Sequence, residues 1–158
     1  MEEKRQIVEK YFNMIYRLAL SQTKNREMAE DVVQEVFLRY LKADRGFESE
    51  EHIKAWVIRV AINCSHSLFS SSWYKKTAPM SELKDEITFD SEEKSDVYYA
   101  VKELAPKYRA VIHLFYYEDM SIDEISKALK VNPSTVKSQL SRGRKLLREK
   151  LKGGYDFV

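Results

Sequence analysis

Between Thr135 and Arg142 the chain places Lys137, Ser138, Gln139 and Ser141 in close succession, a run of hydrogen-bond donors and acceptors with no acid among them. Side chains of these types at helical spacing suit the edges of base pairs. Arg142 could bond a guanine through two parallel N–H groups and Gln139 an adenine, with the hydroxyls of Thr135, Ser138 and Ser141 as adaptable partners. Arg144, Lys145 and Arg148 come later, where charge rather than a fitted edge is what a phosphate needs. A basic helix standing alone is as readily a solvated face, but the segment before it argues otherwise. Ser121 and Glu124 have the spacing of a capping box. Ile122, Ile125, Ala128 and Leu129 form one apolar stripe, and Asn132 and Pro133 have the types of an N-cap and a first helical residue. Two helices over 121–130 and 133–152, joined by a tight turn at Val131 and Asn132, make a helix-turn-helix. In that motif the first helix braces the second, whose early residues enter the major groove.

A second constellation lies in the first third of the chain. Asp31, Gln34 and Glu35 share one helix as an acid-rich patch with Phe37 half-buried at its edge, suited to a basic protein surface. An ordinary solvated face is the plainer alternative. Between Glu51 and Glu82 no acid occurs, while Lys54, Arg59, Lys75 and Lys76 fall inside that window, a balance suited to a nucleic-acid backbone. Trp56, at helical spacing, is expected in the core. Trp73 and Tyr74 beside Lys75 could stack on unpaired bases or pack between domains. Cys64, His52 and His66 lack a second cysteine and any standard ligand spacing, so neither metal nor cofactor is expected. With no nucleophile–base pair, Gly-rich phosphate loop or carboxylate dyad in view, the chain does not read as an enzyme.

The elements that must position these residues are helical. Of 158 residues only 4 are Gly and 3 Pro, with 33% charged and 44% hydrophobic, a composition that favours a soluble all-α protein. Ile7, Tyr11, Ile15 and Leu18 predict a first helix from about Glu3 to about Thr23, and Asn25 caps a second whose stripe is Met28, Val32, Val36, Phe37 and Tyr40. The stretch from Ala43 to Ser49 breaks the pattern, and Ser49 starts a third helix carrying Ile53, Trp56, Val57 and Val60. From the serines at 70–72 to about Asp96 no periodicity persists and acids accumulate, which predicts a flexible linker. Order returns with Val97, Val101 and Leu104, and Pro106 opens a helix that Ala110, Val111, Leu114, Phe115 and Tyr117 continue. No window is apolar enough for a membrane span. The opening residues Met1-Glu-Glu-Lys-Arg carry no signal-like apolar stretch, so a cytoplasmic location and no membrane insertion are expected.

At this level the chain resembles the sigma-70 family, specifically its extracytoplasmic-function group. Tyr117-Glu-Asp-Met-Ser-Ile-Asp-Glu-Ile-Ser-Lys-Ala-Leu-Lys-Val-Asn-Pro-Ser-Thr-Val-Lys-Ser-Gln-Leu is similar to region 4, which reads the minus-thirty-five element, and Leu104-Ala-Pro-Lys-Tyr-Arg-Ala-Val is similar to its lead-in. Ala29-Glu-Asp-Val-Val-Gln-Glu-Val-Phe-Leu-Arg-Tyr resembles region 2.2, and Ile53-Lys-Ala-Trp-Val-Ile-Arg-Val-Ala-Ile-Asn resembles the segment that engages the minus-ten element. The chain departs from the family pattern at Lys130, where relatives usually have Gly, at Gln139, often Arg, and at Gly143, often Ala.

The resemblance implies two small helical domains, region 2 over 1–76 and region 4 over 96–152, joined by an acidic linker over 77–95 and followed by a tail over 153–158. It implies that Asp31, Gln34, Glu35 and Phe37 dock on the β′ clamp helices of core RNA polymerase, and that the β flap and an anti-sigma factor are further partners. It also implies that the loop 44–51 pockets a flipped base of promoter DNA and that Asn63 contacts the minus-ten strand, for a stress or envelope-response regulon. Two other readings stay open on sequence: a stand-alone helix-turn-helix regulator acting as a dimer, and an interaction module that binds polymerase or an inhibitor but not DNA.

Overall fold

The structure is a computed structural model and describes residues 2–69 and 95–152. The chain divides into two compact units, 1–87 and 88–158. No strand occurs among the described residues. Lys75, Lys76, Trp73, Tyr74, the tail 153–158 and the expected linker except Ser95 lie outside the described residues.

The first unit is built from α1 (Glu2–Thr23), α2 (Arg26–Lys42) and α3 (Glu50–Phe69). Each of the three helices packs on the other two. Ile15, Leu18 and Ala19 of α1, Val32 and Val36 of α2, and Val57, Ile58 and Ala61 of α3 are fully excluded from water. Each larger side chain so buried contributes about 1.5–3 kcal/mol of transfer free energy. Lys24, at φ 59°, ends α1 in the left-handed region, and Asn25 starts α2 by accepting the Met28 N–H at 2.9 Å. Ser49 accepts the His52 N–H at 3.1 Å and so caps α3, as its type predicted.

The second unit holds α4 (Asp96–Lys102), α5 (Pro106–Ile112), α6 (Ile122–Leu129) and α7 (Pro133–Lys150). Ser95 caps α4 through the Tyr98 N–H, and Pro106 opens α5 at its first position. The buried Arg109 donates to the carbonyls of Lys102 at 3.3 Å and Leu104 at 2.6 Å, which ties the α4–α5 connection to the core. Its burial depresses the basicity of the guanidinium.

The segment opened by Pro106 stays helical through Tyr117 as expected, but not as one continuous α-helix. After Ile112 the backbone widens into a π-helical turn, His113–Tyr117. The ring nitrogen Nε2 of the buried His113 meets the Glu118 carboxylate at 2.9 Å, a pair that anchors the turn from inside. Leu114 is buried while Tyr116 and Tyr117 are exposed. Ser121 and Glu124 form the full capping box of α6. That helix closes on Lys130 at φ 59°, with the Val131 N–H returning to the Ser126 carbonyl. Asn132 precedes α7 as expected, but its side chain makes no capping bond, and only its backbone carbonyl receives the Thr135 and Val136 amides.

Candidate nucleic-acid interface and docking face

The second helix of the helix-turn-helix, α7, buries Val136, Leu140, Gly143 and Leu147 and turns the opposite side outward. On that outer side Lys137, Ser138, Ser141, Arg142 and Lys145 are exposed, and Thr135 is half-buried at the start. These residues recur at intervals of three and four and therefore form one face along the helix. Two predicted residues sit differently. Gln139 lies three residues after Val136 and four before Gly143, on the seam toward the core, and its Oε1 is shielded from solvent with no hydrogen-bond partner. Arg144 is half-buried, its guanidinium 5.9 Å from the Phe115 ring and 5.7 Å from the Tyr116 ring, on the π turn.

Gly143 explains how close that core is. A Cβ at this position would stand 3.2 Å from Cγ1 and 3.3 Å from Cδ1 of Ile112, so the missing methyl lets α7 settle against α5. The position of the turn between α6 and α7 depends in the same way on Lys130, a non-glycine residue held in the left-handed region.

In the first unit, Trp56, Arg59 and Asn63 follow His52 at helical spacing and occupy one stripe of α3. Asn63 is exposed and Arg59 half-buried. Burial lowers the basicity of Arg59, and the charge of Arg45 lowers it further, which places two guanidinium groups in one electrostatic neighbourhood. Lys54 is off this stripe, close enough to Glu50 to help lower its carboxyl pKa. At the loop end of the stripe Phe47 is packed against Trp56 at 5.5 Å, Tyr40 at 5.9 Å and His52 at 5.3 Å, with Arg45 over its outer face. Trp56 is thus a half-buried member of an aromatic cluster under the loop. Arg45 and Phe47 were not singled out individually from sequence, although an aromatic residue beside Gly46 in a polar loop was a readable signal.

On α2, Asp31, Gln34 and Glu35 are all exposed. Glu35 is engaged by Arg39 of the next turn at 2.7 Å, which raises the Arg39 pKa. Phe37 differs from its expected place at the edge of this patch. It is 5% exposed and stacked on Phe12 of α1 at 6.2 Å, so it supports the helix from beneath. The more exposed of the two outward leucines on this side of α2 is Leu38, 49% exposed and in line with Asp31 and Gln34, with Leu41 one turn further on. Sequence reasoning passed over Leu38 because one leucine in an apolar-rich helix carries no signal by type.

Among the described residues no three His, Cys, Asp or Glu side chains gather as metal ligands. Cys64 is buried, which pushes its thiol pKa up. No helix among the described residues is long and apolar enough to cross a membrane.

Comparison with known proteins follows this division. The family model for sigma-70 region 2 matches residues 7–74, and that for sigma-70 region 4 matches residues 94–147. RNA polymerase sigma factor SigV of Bacillus subtilis (strain 168) is 32% identical over 143 residues, spanning 86% of this chain and 83% of that protein. ECF RNA polymerase sigma factor SigX of the same organism is 27% identical over 168 residues, spanning 94% and 84%. Among solved structures, the sigma factor RpoE in complex with the anti-sigma factor NepR from Bartonella quintana superposes with a TM-score of 0.74 at 21% identity, covering 98% of this chain and 100% of that one. CnrH in complex with the cytosolic domain of CnrY gives a TM-score of 0.65 at 20% identity, covering 94% and 86%.

Proposed function

The chain belongs to the sigma-70 family and is a sigma factor of the extracytoplasmic-function group that directs transcription initiation, and from that premise we propose how its two units divide the work. The first unit docks on core RNA polymerase through Asp31, Gln34, Glu35 and Leu38, with Phe37 holding the helix in place. Its α3 stripe and the loop before it engage the minus-ten element, Asn63 contacting the strand and the Phe47 cluster forming the floor on which an unstacked base is received. The second unit reads the minus-thirty-five element as duplex. Lys137, Ser138, Ser141 and Arg142 face the base edges, and Lys145 and Arg144 hold phosphates. Such a protein works in the cytoplasm, where its polymerase is, and an anti-sigma factor fits it as a partner, since one of its structural neighbours, the sigma factor RpoE, was captured with the anti-sigma factor NepR.

The observation that carries this reading is the exposed basic and hydroxyl face of α7, set on a capped partner helix through a tight left-handed turn. Such a face can read duplex without contributing a catalytic group, so chemistry is left to the polymerase. Readout follows from geometry, because side chains early in a helix lying in the major groove reach the base edges first. The cost of flipping a minus-ten base is unstacking, and a preformed aromatic floor offsets part of it.

The test is reconstitution. Mixed with core polymerase, the chain is expected to co-purify as a holoenzyme and to give run-off transcript from a cognate promoter, and to bind that promoter weakly by itself. Tight dimeric binding to a palindrome without polymerase would point instead to a stand-alone regulator.

A further inference from the structure

The loop between α2 and α3, residues 43–49, is tied at both ends to one neighbouring helix. At its start the Lys4 ammonium donates to three carbonyls of the α2 C-terminus, Tyr40 at 3.4 Å, Leu41 at 3.2 Å and Ala43 at 3.2 Å, and lies over the Tyr40 ring. Those carbonyls stand at the negative end of the α2 dipole, where acceptors outnumber backbone donors, and that of Tyr40 also receives the Ala43 N–H at 3.2 Å. A lysine usually serves them from the same helix, whereas here it comes from α1, 36 to 39 residues earlier. At the other end of the loop Glu50, the first residue of α3, receives the Lys10 ammonium and, at 2.5 Å, the Tyr11 hydroxyl, both again from α1.

Between the two ties the loop is fixed from inside. The Glu48 N–H donates to Nδ1 of His52 at 3.1 Å, which requires the His52 proton to sit on Nε2. Phe47 is held in its aromatic cluster. Lys4 and Lys10 are less than two turns apart on α1, so a rigid helix sets the separation of the two loop ends. The polar side chains of α1 at these positions would cost nothing to replace if their task were only to face water, yet each closes a specific bond to the loop's boundary.

We propose that Lys4, with the Lys10–Tyr11 pair acting on Glu50, are positioning residues for promoter melting: α1 holds the loop at the width in which it receives an unstacked minus-ten base. The inference rests on the reading that this loop is the base pocket. These residues touch no DNA in this scheme and act through the loop alone. A charge lost at either tie lets the loop widen or close, and the ordering that was set beforehand must then be achieved while the duplex opens. The depressed pKa of the Glu50 carboxyl, caused first by the Lys10 bond and then by the Tyr11 bond, agrees with a carboxylate held in its charged form.

The experiment uses the full chain as Lys4→Met, Glu50→Gln and Lys4→Arg. Two quantities are measured: hydrogen exchange of the 43–49 segment in the free protein, and open-complex formation by the holoenzyme on duplex and on pre-melted templates. Lys4→Met and Glu50→Gln are expected to exchange the segment about three- to tenfold faster and to open duplex about three- to tenfold more slowly, the range that one lost hydrogen bond corresponds to. Polymerase affinity should be unchanged, the pre-melted template should recover the rate, and Lys4→Arg, which keeps the donors, should behave as wild type. Unchanged exchange in both variants overturns the tie itself. Faster exchange with normal opening on duplex shows that α1 holds the loop but that the loop is not a base pocket, which overturns the reading beneath the proposal. An equal loss on both templates, or a loss of polymerase affinity, overturns the positioning role.

Discussion

The Nε–H of Arg144 donates to the Tyr116 hydroxyl at 2.6 Å, a bond that joins α7 to the π turn 28 residues earlier. The turn is what brings the phenol there, since the wider backbone after Ile112 places Tyr116 outward on the side of α7. A guanidinium fixed in this way presents its remaining N–H groups in one direction. Tyr116→Phe removes the acceptor and keeps the ring. Binding to duplex should fall about two- to fivefold, within the range of one net hydrogen bond, and equally across minus-thirty-five sequences. Titration of variant promoters by the holoenzyme checks both statements.

Lys130 occupies the left-handed region at φ 59° and ψ 46° to end α6, which costs a side-chain-bearing residue roughly 1–2 kcal/mol relative to an unstrained conformation. Lys130→Gly should therefore raise the stability of the second unit by about 1 kcal/mol. Denaturant unfolding of the variant against wild type measures this, and a loss of stability would mean that the lysine makes a compensating contact.

Charge reversal at Asp31 or Glu35 should weaken polymerase binding and leave helical content intact. Glu35→Lys also removes the pair with Arg39, worth only about 0.3–0.5 kcal/mol in an exposed helix, so a large binding loss there must come from the partner. Leu38→Ala should weaken binding too, without any salt dependence. Affinity measured at two salt concentrations separates the charged residues from the apolar one.

Replacing Asn63 should impair opening of duplex more than recruitment of polymerase, and the defect should shrink on a pre-melted promoter where unstacking has already been met. Equal defects on both templates would contradict the placing of Asn63 on the strand.

What was legible in the sequence followed local rules. Asn25, Ser49, Pro106 and the Ser121–Glu124 box stand at helix starts because capping chemistry needs only a few neighbouring residues. The outward face of α7 follows from its period. Phe37 carries two expectations, a place in the buried stripe by its period and a half-buried place at the edge of the acidic patch by its neighbours; the stripe prevails, with the ring 5% exposed and stacked on Phe12 of another helix. The π turn was beyond reach, since it is anchored by the buried His113–Glu118 pair in the core of the unit. Gln139 matched a base reader by type, yet one helical step of rotation sets its carbonyl against the core. The ties from Lys4, Lys10 and Tyr11 link residues far apart in sequence, and nothing in their spacing announces the contact.

Two neighbouring exposed residues of α7, Arg142 and Lys145, separate readout of base edges from simple attraction. The measurement is holoenzyme binding or transcription on a library of minus-thirty-five variants at two salt concentrations, for Arg142→Ala and Lys145→Ala. Arg142→Ala should cost about 1–3 kcal/mol and relax preference at one position. Lys145→Ala should weaken all promoters alike and reduce the salt slope by roughly one phosphate contact. If both variants give the same uniform, salt-dependent loss, Arg142 is a phosphate clamp and readout passes to Lys137, Ser138 and Ser141. If neither variant changes any promoter, α7 does not read DNA and the second unit has another task.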